Sequence, residues 1–332
     1  MPYRKTIIKL IKLAAPVLLG LVVIAALALK AGVSHLIDMI LGIDPVLVIA
    51  SAGLLAIATL LKAFRWYLLV REIGIKEKGM AIYSYFMCQT TNVLLPAGCG
   101  ELLKIALLKG KNGTTFINFL PGITLEAAMD IALLLILSSL LATVFLDELT
   151  TVVLLLLLIA CAVMFLKPSL LYGISRQACK LKKFRLLSPA IEFTTVRLDE
   201  FIRSMEFYSG NKKLMAQCML LTILAWVVME PLSQYVLFLD FHINVSYASL
   251  LAAVAISMIL GIMSLLPGGI GARDLVFAMV MAGSGTPFEI CLSIAMIYRM
   301  IAYVLFPALT VLIYLAYKKK LIKEKMQTGT VA

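Results

Sequence analysis

The chain has 332 residues, of which 62% are hydrophobic and only 14% charged, with a mean hydropathy of +1.03. A water-soluble domain carries roughly 45–50% apolar and about 25% charged residues, so a soluble fold is excluded and lipid is the expected solvent. The net charge of +12 is arranged by position: all but three of the 30 basic residues fall in clusters at 4–12, 62–78, 104–111, 167–213 and 318–325, between apolar runs. The other connections carry acids (Asp38, Asp44, Asp147, Glu148 and Asp240). That split follows the positive-inside rule, with basic clusters facing anionic inner-leaflet lipids, and no nucleic-acid partner is expected. Both termini are placed on the cytoplasmic side of the cell membrane.

In chain order, residues 10–29 form the first expected span. A basic start and Ala26-Leu27-Ala28 imitate a cleaved leader, but the apolar stretch is longer than a usual leader core, which favours a retained helix. Pro45 opens a second span that runs to the basic stretch 62–71, where Trp66 and Tyr67 are expected as aromatics of the membrane–water boundary. Residues 80–95 are apolar but short, break at Pro96-Ala97-Gly98-Cys99-Gly100, and resume over 101–108. Basic residues bracket this unit, so 80–109 is expected to be a re-entrant hairpin.

Residues 114–145 form the third span and 150–166 return. The segment 167–213, with ten basic and four acidic residues, carries Phe193, Val196, Phe201 and Met205 at helical spacing. It is expected as amphipathic helix on the inner leaflet. Residues 214–239 cross outward. A second break follows: 247–266 is apolar, stops at Pro267-Gly268-Gly269-Ile270-Gly271, and a short half leads to 283, before 288–317 returns to the lysine tail.

The two breaks align, Leu94-Leu95-Pro96-Ala97-Gly98-Cys99-Gly100 with Leu265-Leu266-Pro267-Gly268-Gly269-Ile270-Gly271. Each is followed by an acid and a leucine, Glu101-Leu102 and Asp274-Leu275. Two such hairpins entering from opposite faces form an inverted repeat. In transporters, interrupted helices in corresponding halves point to a midplane substrate site. The expected architecture is one all-α, polytopic transmembrane bundle over 1–332: about six full spans and two re-entrant hairpins, one in the half 10–166, the other (247–283) in the half 214–317.

Ionisable residues inside apolar stretches cost about 2.5–3.5 kcal/mol each at bilayer depth, so they face one another or water. Glu101, Lys104, Glu126, Asp130, Glu230, Arg273, Asp274 and Arg299 form this set. Together with Pro96, Gly98, Gly100, Pro267, Gly268, Gly269 and Gly271 they are the expected substrate path. Glu126 and Asp130 share a helix face and need a cation, for which Arg299 or Arg273 is the natural partner. Half-helices starting near Gly98 and Gly269 would aim N–H groups at a phosphate, and nearby acids would take a cationic part of a headgroup or a coupling proton. The structural alternative is that Glu101 and Asp274 cap their helices while the other charges form buried pairs. Glu230 beside Pro231 is expected near mid-span at a kink, as a structural acid or a proton relay.

No His/Cys/carboxylate cluster has metal spacing, and no cofactor or catalytic set is expected. His35 and His242 are expected at the interface, and the Gly-x-Gly runs lack a strand–turn–helix context. The six cysteines form no disulfide framework and are expected as buried soft hydrophobes. Asn244-Val245-Ser246 fits a glycosylation pattern that recurs by chance.

The Leu-Leu-Pro-Ala-Gly-Cys-Gly-Glu-Leu-Leu-Lys break, the Glu126-x-x-x-Asp130 pair and Leu-Leu-Pro-Gly-Gly-Ile-Gly-Ala-Arg-Asp-Leu, in that order, resemble the transmembrane region of lysylphosphatidylglycerol synthases. This flippase-like family also has stand-alone members. Lys104 stands where that family commonly has arginine, and Leu125-Glu126-Ala127 stands where a Glu-Arg pair is frequent. The resemblance, over about 10–317, implies movement of aminoacylated phospholipid between leaflets. A separate soluble domain makes the lipid, and a chain with only a short tail after its last span is expected to lack it. The expected partners are therefore an anionic or aminoacylated phospholipid or a polyprenyl-phosphate lipid, anionic inner-leaflet lipids, and a separate lipid-modifying enzyme. A membrane transferase or its subunit, and a non-transporting envelope scaffold, stay open as alternatives.

Overall fold

The computed structural model describes residues 38–39, 41–94, 99–110, 113–145, 206–208, 210–264 and 266–327. Among these residues the chain is helical and contains no strand. The expected spans 10–29 and 150–166, nearly all of 167–213, and Pro96 and Gly98 lie outside the described residues.

Helix α1 (Pro45–Glu72) starts where Asp44 accepts from Val46 N and proline takes the first turn, which satisfies an orphan donor and presets φ. At about 1.5 Å per residue it is about 42 Å long. Two shorter helices follow, α2 (Lys78–Leu94) and α3 (Cys99–Leu108), then the long α4 (Phe116–Phe145). Asn211 caps α5 (Lys212–Ile223), accepting from Leu214 N. Helix α5 runs through a π-helical stretch, Leu224–Met229, into α6 (Glu230–Phe238). The looser winding lies directly before Glu230-Pro231, where proline removes a donor from the ladder, and single π turns recur at such sites. Helix α7 (Tyr247–Met263), a 3-10 turn at Pro267–Gly269, α8 (Ala272–Gly283) and α9 (Phe288–Gln327) complete the described chain.

Among the described residues, four stretches are long and apolar enough to cross a membrane: Pro45–Glu72, Phe116–Ser139, Lys212–Phe241 and Phe288–Lys319. Helices α2, α3, α7 and α8 are shorter, and each pair folds back on itself, α2 against α3 and α7 against α8.

The buried side of α1 recurs every third or fourth residue, through Leu55, Thr59, Lys62, Trp66 and Leu69. That stripe corrects the boundary assignment for 62–66. Trp66 is fully buried and donates from Nε1 to Ser84 Oγ at 3.2 Å. Lys62 and Arg65 are buried on the same helix rather than lying in an inner loop.

Two apolar clusters sit at opposite ends of α1. One gathers Ile43, just ahead of α1, with Val245 before α7, Met281 at the end of α8 and Cys291 at the start of α9. The other gathers Val70, Ile75, Ala81, Leu108 and Phe119, with Ile313 packed against it. The base of the α7–α8 unit thus packs near the beginning of α1, and the base of the α2–α3 unit near its end. Between them, the Pro267–Gly269 turn rests on α2.

Candidate functional site

A cavity of about 420 Å³ opens where the two broken units meet. Its walls come from α1, α2, α3, α4, the π stretch and α6, α7, the second break, α8 and α9.

Close backbone approach shapes the second break and the start of α3. At Gly269 (φ 67°) an added Cβ would lie 3.2 Å from Gly261 Cα, so the left-handed backbone and the lack of a side chain are both needed. At the other break, an added Cβ on Gly100 would meet Asn92 Oδ1 and Cys88 O at 2.4 Å. Gly100 N instead donates to Asn92 Oδ1 at 3.0 Å, so a side chain of α2 caps α3. Gly268 lies against Asn92 O and Val93 O, which brings the second break to within contact of the approach to the first.

Charged side chains form three connected groups. In the first, Arg65 holds Asp130 with two N–H···O bonds of 2.6 and 2.8 Å, Glu126 at 3.1 Å and Thr222 Oγ1 at 2.6 Å. Lys104 bridges Glu126 at 2.7 Å and Glu101 at 2.8 Å, beneath the Trp66 ring at 4.0 Å. In the second, Glu230 accepts from Lys62 at 2.6 Å, Tyr298 at 3.0 Å and Arg273 at 3.5 Å. In the third, Arg299 meets Asp274 Oδ1 from Nη2 at 2.8 Å and from Nε at 3.0 Å, and donates to Gly268 O at 3.1 Å and Gly269 O at 3.5 Å. Trp226 joins the first two groups: its Nε1 donates to Asp130 at 2.8 Å, and Lys62 sits 3.3 Å from its ring centroid.

Of the expected path residues, Glu101, Glu126, Asp130, Glu230, Gly268, Gly269, Arg273, Asp274 and Arg299 line the cavity. Lys104 is fully buried behind it. Gly100 packs on α2, Pro267 lies in the 3-10 turn, and Gly271 precedes α8, donating its N–H to Asp274 Oδ2 at 3.0 Å.

One pairing is corrected. Glu126 and Asp130 are neutralised by Arg65 and Lys104, while Arg273 goes to Glu230 and Arg299 to Asp274. Helix α4 packs on α1 and α3, which places its acids over those two cations. Of the two expected helix caps, Asp274 caps α8, whereas Glu101 accepts from Cys88 and pairs with Lys104. Lys62, Arg65, Asn92, Trp226 and Tyr298 lie outside the set that the sequence predicts, and the buried stripe of α1 is the signal that marks the first two. Among the described residues, no His, Cys, Asp and Glu cluster would hold a metal ion, and Cys88, Cys218 and Cys291 are free and buried.

The family described as the lysylphosphatidylglycerol synthase TM region matches residues 13–309. The chain belongs to that family. It is therefore a membrane protein. Among its relatives, the glycosyltransferase AglD of Haloferax volcanii is 22% identical over 312 residues, covering 84% of this chain and 50% of the relative. A UPF0104 membrane protein of Methanothermobacter thermautotrophicus is 28% identical over 131 residues, 39% of each chain. The UPF0104 membrane protein MJ1595 of Methanocaldococcus jannaschii is 20% identical over 334 residues, 96% of this chain and 98% of the relative. The match thus spans half or less of the first two relatives' own length and nearly all of the third.

Proposed function

We propose that this family member carries the headgroup of an anionic or zwitterionic lipid, or of a lipid-linked intermediate, from one leaflet to the other through the cavity between the breaks. The carrying observation is that both broken units contribute to one cavity whose walls hold carboxylates and cations at the centre of an apolar bundle. Charges kept at that depth are expensive unless they meet one another, water or a polar cargo. The lipid tails would stay in the surrounding bilayer.

In this reading the chain has about six full spans, and the α2–α3 and α7–α8 units are re-entrant hairpins of opposite entry. The apolar clusters at opposite ends of α1 support that arrangement. Both termini and the basic segment 167–213 face the cytoplasm of a cell membrane, with the segment drawn to anionic lipid. Family membership favours aminoacyl-phosphatidylglycerol as cargo, and the glycosyltransferase relative favours a sugar-bearing one, the second class being a polyprenyl-phosphate glycolipid. The same relative supports a second reading, in which the chain is the membrane part of a lipid-modifying transferase, with a separate enzyme as partner.

The test is a flip assay on purified full chain in liposomes carrying headgroup-labelled lipids. Wild type should exceed protein-free vesicles for at least one of the two lipid classes, and folded Arg299→Ala should be at least tenfold slower. Equal rates with and without protein would remove the carrier reading. Lipid turnover in detergent, without vesicles, would replace it with the transferase.

A further inference from the structure

We propose that Arg273, Lys62 and Glu230 form the seat for one singly charged phosphodiester, with Arg273 turning from Glu230 to the phosphate when the cargo arrives. This rests on the cavity being a headgroup path, and it names the group within that cavity that takes the anion.

The charge count of the three groups singles out this one. Around the first break, Arg65 and Lys104 face three carboxylates (Glu101, Glu126 and Asp130), an excess of one negative charge. Arg299 and Asp274 balance. Lys62 and Arg273 share one carboxylate, Glu230, which leaves an excess of one positive charge on a cavity wall.

Of the cations, Arg273 is the least committed. Arg65 and Arg299 each spend their guanidinium on several short bonds. Among the described residues, the only hydrogen-bond partner of Arg273 is Glu230, at 3.5 Å, the longest bond in the three groups alongside Arg299 to Gly269 O. Most of its five N–H donors are therefore open. Its side chain is 20% exposed, against 11% for Lys62 and Arg299 and about zero for Arg65 and Lys104. The root of the side chain is fixed: an added Cβ on Gly261 would sit 3.2 Å from Arg273 Cβ, and one on Gly269 3.3 Å from it. The head moves while the stem stays.

Removing Arg273 does not orphan Glu230, because Lys62 at 2.6 Å and Tyr298 at 3.0 Å remain on it. A phosphodiester brings one negative charge and closes the count to zero. A phosphomonoester brings about 1.5 to 2 charges near neutral pH and overshoots it. Arginine also meets a phosphate with two parallel N–H···O bonds where lysine offers a point charge.

The test titrates purified full chain in detergent with dihexanoyl phosphatidylglycerol (a diester) and dihexanoyl phosphatidic acid (a monoester), by calorimetry. Inorganic phosphate and glycerophosphoglycerol serve as soluble competitors. Wild type should prefer the diester. Arg273→Gln should weaken it at least tenfold with the unfolding temperature held, and Arg273→Lys should recover part of the loss. Glu230→Gln raises the local excess to two positive charges and should shift preference toward the monoester. Unchanged affinity in folded Arg273→Gln overturns the seat, as does unchanged preference in folded Glu230→Gln. Competition by inorganic phosphate as strong as that by lipid overturns the lipid as its source. Binding is read without vesicles, so a wild type that binds but does not flip contradicts the carrier reading alone, and a wild type that flips with Arg273→Gln binding intact contradicts this seat alone.

Discussion

The two breaks share a residue pattern but route their charges differently. At the second, Asp274 accepts from Gly271 N at the start of its own helix and takes Arg299 of α9 on its other oxygen. At the first, the corresponding Glu101 does not cap: Asn92 takes that role, and Glu101 pairs with Lys104 one turn later in its own helix. Its side chain is 36% exposed, against 6% for Asp274. In both units one helix ends before the shared Pro/Gly pattern and the next begins within or just after it, whereas the neighbours decide which charges meet. The result is an anion excess around the first break and a cation excess beside the second.

The largest loss is expected on removing the buried cation of the first group. Arg65→Met leaves Glu126 and Asp130 in the bundle with one fewer counter-charge, and should cost about 3–5 kcal/mol. A loop arginine, which is how the basic cluster alone presents it, would cost under about 0.5 kcal/mol. Denaturant titration in mixed micelles separates the two. Lys104→Met should cost about 3 kcal/mol, and adding Glu126→Gln should return part of it, with a coupling of about 0.5–3 kcal/mol; strict additivity in that cycle would contradict the bridge.

Gly269→Ala should cost about 2 kcal/mol, from a left-handed backbone worth about 1–2 kcal/mol plus the tight approach to Gly261. Gly74→Ala, also at positive φ but with nothing within 4 Å of the added Cβ, should show the backbone cost alone. The smallest effects set the paired acids against each other. Asp274→Asn, which loses the charge partner of Arg299, should cost about 1–3 kcal/mol. Glu101→Gln, about a third exposed at the cavity, should cost under about 1 kcal/mol. Equal losses would mean that the two breaks are electrostatically alike.

Much of the fold was legible because helices in lipid announce themselves by length and punctuation. Pro45 after Asp44 starts α1, and the expected stretches 80–95 and 101–108 appear as Lys78–Leu94 and Cys99–Leu108. Beside Pro231, where the ladder was expected to loosen, the helix winds as a π stretch over Leu224–Met229. Nine of the expected path residues line one cavity. The pairings were not legible. Arg65 and Asp130 are 65 residues apart, and Trp226 reaches Asp130 across 96, distances over which periodicity carries no information. Lys62 and Arg65 were hidden for a second reason. Charges near a helix end look like an inner loop when counted by hydropathy, and only their place on the stripe of Leu55, Thr59, Trp66 and Leu69 betrays their burial.

If the two broken units enter from opposite faces, as proposed, site-directed thiol labelling will find their bases on opposite sides of the membrane. Lys109 and Ser284 are exposed at the far ends of α3 and α8. In a cysteine-free background, Lys109→Cys should react with an impermeant maleimide only in inside-out vesicles, and Ser284→Cys only in right-side-out vesicles. Reaction of both from the same side would undo the opposed entry and, with it, a passage built between the breaks.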